Sequence, residues 1–204
     1  MTTWARRTVE AMRPSQILAA ATLLLLTACA APHFRGTALV PVRAAPPISL
    51  TDSSGSAWQL AGQTGKNVAL FFGYTHCADT CPLALAKLVK ARTLADPAGT
   101  RWEIAFVTVD PERDTPPVLA AYLKRFGGDI VGLTGSQPAI ASVERAYHVW
   151  AQKIPGKRAG GDYGYDEAHA SVIFLIDAHG NQRVLQDASD SVASLAHDMR
   201  LLNE

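Results

Sequence analysis

The chain has 204 residues, 48% of them hydrophobic, with 19 lysines and arginines against 18 aspartates and glutamates. A formal charge of +1 at pH 7 lacks the basic excess of a nucleic-acid-binding domain, so no nucleic-acid partner is expected. The length suits an export segment followed by one ordinary domain.

Residues 1–28 read as a signal peptide. Arg6, Arg7 and Arg13 make a cationic start, and the apolar run Ile17–Leu26 is too short to span a bilayer. The run ends in Leu26-Thr27-Ala28-Cys29, which resembles a bacterial lipobox, where the signal is cut before Cys29 and that thiol is lipidated. An ordinary signal peptide with an incidental cysteine, or an uncut anchor, would use the same residues. Residues 29–47, rich in Ala, Pro and Arg, read as a flexible tether. Residues 48–204 contain no long apolar run and are expected to form one soluble domain, anchored at the bacterial cell envelope and facing the periplasm. A disulfide is permitted in that oxidising space, and Cys77 and Cys81 are the thiols left to make one.

Ile48–Leu60 places two short apolar stretches around Asp52-Ser53-Ser54-Gly55, an N-terminal β-hairpin. Asn67–Phe72, "NVALFF", is a continuous apolar run, as a strand buried on both faces requires. Pro82 favours a first helical position and opens a helix to about Ala95, with Leu85, Leu88 and Val89 toward the core. Glu103–Asp110 is a second buried strand. Asp114 or Thr115 caps a helix before Pro116, which Gly127 and Gly128 close. Ile130–Gly135 is short and apolar, and a helix runs from Ser136 to about His148. Residues 151–166 are polar and Gly-rich and read as a long loop of the kind that carries function. Ala170–Asp177 and Gln182–Gln186 form a strand hairpin, and a last helix covers Ser191–Leu202. Strands alternating with helices imply an α/β fold, a central mixed sheet flanked by helices. The closing hairpin, and a cysteine pair where the first buried strand meets its helix, make the expected sheet thioredoxin-like.

The pair stands in "FFGYTHCADTCP", residues 71–82. Cys81 falls near the helix start, where unpaired backbone N–H groups favour a thiolate, and Cys77 falls in the preceding loop. C-x-x-x-C is one residue longer than the usual redox spacing, which lets the sulfurs converge on a soft ion such as Cu(I) without forbidding a disulfide. The pair alone leaves redox work and metal binding open. Of the six histidines, His169 stands directly before a buried strand, where the topology brings it against the cysteines as a third ligand. His76 adjoins Cys77 and is expected beside the ligands rather than among them. Asp110-Pro111-Glu112-Arg113-Asp114 reads as a strand end, a turn and a cap, and its position also allows partner docking. Trp150, Tyr163 and Tyr165 flank the long loop and offer either packing or a recognition face.

Three segments resemble the Sco/SenC family of copper-binding, thioredoxin-like assembly factors for cytochrome oxidase. "FFGYTHCADTCP" is similar to the family's F-G-Y-T-x-C-P-x-x-C-P. Val107–Phe126 is similar to its stretch around D-P-x-R-D-T-P. "DYGYDEAHASVIFLIDAHG" is similar to the segment holding its metal-binding histidine. The resemblance runs from about Ile48 to the end and implies copper, as Cu(I) or Cu(II), bound by Cys77, Cys81 and His169. Ala78 replaces the usual proline, and Ala168 replaces the usual aspartate before the histidine; Asp166 or Glu167 would supply the missing carboxylate. The implied function is a metallochaperone that delivers copper to an oxidase copper centre, Cu(A) of cytochrome c oxidase subunit II. The alternative is a thiol–disulfide oxidoreductase that reduces the recipient's cysteines with Cys77 and Cys81 and is itself reduced by a thioredoxin-type partner.

Overall fold

The computed structural model describes residues 33–127, 129–155 and 165–204. The expected signal peptide, Cys29 and Tyr163 lie outside them. No helix among the described residues is long and apolar enough to cross a membrane.

The strands are β1 (Thr37–Ala44), β2 (Ser49–Asp52), β3 (Ala57–Gln59), β4 (Asn67–Gly73), β5 (Trp102–Thr108), β6 (Ile130–Thr134), β7 (Ala151–Pro155), β8 (Tyr165–His169), β9 (Val172–Ile176) and β10 (Asn181–Asp187). The helices are α1 (Thr80–Ala95), α2 (Pro116–Leu123), α3 (Gln137–Ala146) and α4 (Val192–Leu201). Eight strands form one mixed sheet in the order β1-β10-β9-β4-β5-β6-β2-β3, and β7 pairs only with β8. β4 runs parallel to β5 and antiparallel to β9. This is the expected thioredoxin-like α/β arrangement, with the β2–β3 hairpin joined antiparallel to β6.

Every residue of β4 is buried, which is why its sequence is apolar without alternation. α1 buries Cys81, Ala84, Leu85, Leu88, Ala91 and Ala95, spaced three and four apart as one helical face demands. α1 packs beside α4, and each leucine so buried contributes about 1.5–3 kcal/mol. α3 and α4 start at the expected caps: Ser136 Oγ accepts the Ala139 N–H and Ser191 Oγ accepts the Ser194 N–H. α1 begins two residues earlier than Pro82 implies, with Asp79 at its N-cap. Pro82 is then the third helical residue, still within the turn whose N–H groups have no intrahelical partner.

Two readings change. Thr37–Ala44, assigned by composition to the tether, is an edge strand paired antiparallel with β10, Thr37 opposite Leu185 and Ala44 opposite Asn181. Its side chains are almost all exposed, so no apolar alternation marks it, and backbone pairing holds it. The Asp198 carboxylate adds an anchor by accepting the N–H groups of Arg35 and Gly36, each at 2.8 Å. Residues 151–166 are likewise not one loop. Ala151–Pro155 and Tyr165–His169 pair as antiparallel strands with Ala151 opposite His169. β7 is largely exposed, so again main-chain pairing makes a strand that burial did not announce.

Candidate metal centre

Cys77 lies in the loop between β4 and α1, Cys81 in the first turn of α1, and His169 at the end of β8. Cys81 is fully buried, whereas Cys77 is half-buried, and the two thiols are unbridged. Gly73 makes room for this packing. A Cβ there would lie 2.7 Å from the Phe106 ring and 2.9 Å from Cys81 Sγ.

His169 Nε2 stands 3.5 Å from Cys81 Sγ, and Nδ1 stands 3.0 Å from the Ala170 carbonyl oxygen. A carbonyl can only accept, so Nδ1 carries the proton and the Nε2 lone pair faces the sulfur, the tautomer a metal ligand needs. The ring is held edge-on by Tyr74, with centroids 5.8 Å apart, and by Phe71 at 6.5 Å. Thiolate and imidazole donors about 2.3 and 2.0 Å from one tetrahedral ion stand roughly 3.5 Å apart. Cys81 and His169 therefore have the separation of two ligands of one ion. Among the described residues, however, no three His, Cys, Asp or Glu side chains already enclose a metal-sized space.

The thiolate falls on the other cysteine from the one expected. A hydrogen bond from the Cys81 thiol holds Cys77 far below the ordinary thiol range, and bonds from the backbone N–H groups of Cys81 and Asp79 work in the same direction. The N–H of Cys81 lies 3.3 Å from Cys77 Sγ. Cys81 is pushed far upward, because its thiol donates a hydrogen bond to Cys77 and because it is buried. The helix start does stabilise a thiolate, but its amide points at the sulfur four residues back rather than at Cys81's own.

An open hollow of about 330 Å³ fronts the site, with Tyr74, Cys77, Asp79, Thr80, Glu167 and His169 among its lining residues. Glu167 is buried, and burial, followed by the nearby charge of Asp110, pushes its carboxyl up to about 7. Asp166 is placed by register opposite Ile154. His76 is turned by its neighbours: Nδ1 lies 3.1 Å from Thr75 Oγ1 and 4.0 Å from Asp114 Oδ1. Trp150 is exposed, and its carbonyl accepts the N–H of Ala170.

Asp114, which the sequence reading treated as a helix cap, is instead a buried acceptor. Thr115 is the N-cap of α2 and makes no side-chain cap bond. The fully buried Asp114 carboxylate accepts the Thr75 N–H at 3.0 Å, the Thr75 hydroxyl at 2.5 Å and the Thr108 hydroxyl at 2.6 Å. It thereby pins the segment two residues before Cys77. The sequence reading marked this stretch but not this role, since a cap and a buried acceptor look alike in sequence.

A family model described as SCO1/SenC matches residues 39–203. A protein SCO2 homolog, mitochondrial, from Bos taurus is 39% identical over 153 residues, covering 71% of this chain and 56% of its own. A protein SCO1 homolog, mitochondrial, from Mus musculus is 38% identical over 136 residues, covering 66% and 47%. The chain thus spans about half the length of the curated relatives it matches. Bradyrhizobium japonicum ScoI, solved with copper bound, superposes with a TM-score of 0.70 at 32% identity, covering 78% of this chain and 99% of that one.

Proposed function

The chain belongs to the SCO1/SenC family, and on that premise we propose that it holds copper between Cys77, Cys81 and His169 and delivers it to a respiratory oxidase, at the Cu(A) centre of cytochrome c oxidase subunit II. The observation that carries the reading is Cys81 Sγ at 3.5 Å from a His169 Nε2 whose partner nitrogen is committed to a backbone carbonyl. Two soft thiolates and one imidazole suit both Cu(I) and Cu(II), and copper is bound in the solved Bradyrhizobium relative. The open hollow beside Cys77 gives a recipient's ligands a way in. Delivery is then ligand exchange, with Cys77 the accessible donor and Cys81 the buried one. A lipid on Cys29 would keep the domain beside a membrane-bound recipient.

One observation favours a second activity of the same pair: the accessible sulfur is the one carrying thiolate character. Cys77 would attack a recipient's disulfide to form a mixed disulfide and release one recipient thiolate. Cys81 would then displace the second, leaving a Cys77–Cys81 disulfide here and two thiols there. Two electrons move to the recipient, and a thioredoxin-type dithiol restores the pair.

His169→Ala separates the two. We expect the reduced variant to lose the Cu(II) thiolate absorption almost entirely, to lose less Cu(I) affinity, and still to form the Cys77–Cys81 disulfide. Normal oxidase activity in cells carrying His169→Ala under copper limitation would overturn the chaperone reading in favour of thiol reduction.

A further inference from the structure

We infer that Arg113 and Tyr165 are positioning residues for His169, and that the turn Asp110–Asp114 is a clamp joining the two halves of the site. The inference rests on the copper reading for its consequence, but its first readout needs no metal.

The β7–β8 hairpin that ends in His169 pairs with no strand of the main sheet. β7 is mostly exposed, so little apolar burial seats it. Alternation puts Tyr165, Glu167 and His169 on one face of β8. Tyr165 is where that face is gripped. The Arg113 guanidinium carbon lies 4.0 Å from the Tyr165 ring centroid, and Nη1 donates to the Tyr165 carbonyl oxygen at 3.2 Å. The Tyr165 hydroxyl donates to Asp110 Oδ1 at 2.9 Å, while the other Asp110 oxygen pairs with Arg113 Nε in a buried ion pair. The opposite arm is tied as well: Lys153 Nζ lies 4.5 Å from the same ring centroid and 2.6 Å from Glu112 Oε2.

Arg113 also lies 5.8 Å from the ring of Tyr74, the aromatic that meets His169 edge-on. One residue on, Asp114 pins Thr75 ahead of Cys77. A single turn after β5 therefore holds the histidine hairpin with Asp110, Glu112 and Arg113, and the cysteine loop with Asp114. Shifting either grip changes the separation of imidazole and sulfur. A site using Cu(II) would register that shift strongly, because it needs the imidazole; a dithiol holding Cu(I) would register it weakly.

Tyr165→Leu removes the stack and the hydroxyl at a half-exposed position, so the core stays intact. In the metal-free protein, backbone amide exchange over 165–169 should rise about tenfold, while that over 173–176 in β9 stays unchanged. In the loaded protein Cu(II) affinity should fall about 10–100-fold, with a shifted thiolate absorption and little change in Cu(I) affinity. Arg113→Lys should reproduce both effects, since an ammonium cannot stack flat and fork to Asp110 and the Tyr165 carbonyl together. Unchanged exchange over 165–169 in Tyr165→Leu overturns the clamp, and an equal rise in β9 overturns it too, as general destabilisation. Should the wild type bind no copper, the copper reading fails and the exchange data alone decide the clamp.

Discussion

Replacing Asp114 should cost stability by an amount the structure makes calculable. The carboxylate receives three hydrogen bonds within the core, from the Thr75 N–H, the Thr75 hydroxyl and the Thr108 hydroxyl. Asp114→Ala strands those donors, Thr108 being fully buried. A buried donor left unsatisfied costs about 1–3 kcal/mol, so stranding three makes the loss at least about 3 kcal/mol for the set. Asp114→Asn keeps the shape: an amide oxygen in the Oδ2 place still accepts from the Thr75 N–H and the Thr108 hydroxyl, and the Thr75 hydroxyl can turn to accept from the amide nitrogen, so it should cost only about 1–2 kcal/mol. Burial raises the Asp114 carboxyl above its ordinary 3.8. An acid with a raised folded-state pKa binds its proton more tightly when folded. Its stabilisation is full below the unfolded value and is lost as pH climbs through the raised one. The wild type's advantage over Asp114→Asn should therefore be larger at pH 4 than at pH 7. Urea unfolding at several pH values reads both quantities. A cost below about 1 kcal/mol for Asp114→Ala, or an advantage that grows with pH, would refute the reasoning.

Gly73→Ala forces a Cβ into the Phe106 ring and Cys81 Sγ; it should destabilise by about 1–3 kcal/mol in thermal melts and shift the Cu(II) thiolate band. Cys77→Ser and Cys81→Ser should each abolish tight copper binding with the fold intact by circular dichroism, and chelator competition showing tight binding in either would sink the two-thiolate site. Cys29→Ala should abolish lipid mass on the mature N-terminus and release the protein from membranes, as mass spectrometry and fractionation would report.

Much of the fold was legible in sequence because burial writes itself into composition. β4 had to be apolar throughout to lie between two layers, α1 had to space its apolar residues at three and four, and Ser136 and Ser191 had to sit where α3 and α4 begin. Among the strands the sequence did not reveal, β1 and β7 are held by main-chain hydrogen bonds with their side chains largely in water. Backbone pairing has no residue signature, so composition made one a tether and the other a loop.

The same division runs through the site. Cys77, Cys81 and His169 were nameable from residue type, spacing and topology, since soft donors are few in this chain. Which sulfur carries the negative charge was not. That depends on where the Cys81 amide and thiol point and on which sulfur is buried, and the answer reversed the expectation drawn from the helix start. Nor could one dimension show that Asp114 reaches Thr75, 39 residues away, or that Arg113 reaches Tyr165, 52 residues away. Sequence determined which groups were available for chemistry. Their protonation, orientation and separation are properties of contacts between distant segments, and only the folded chain brings those segments together.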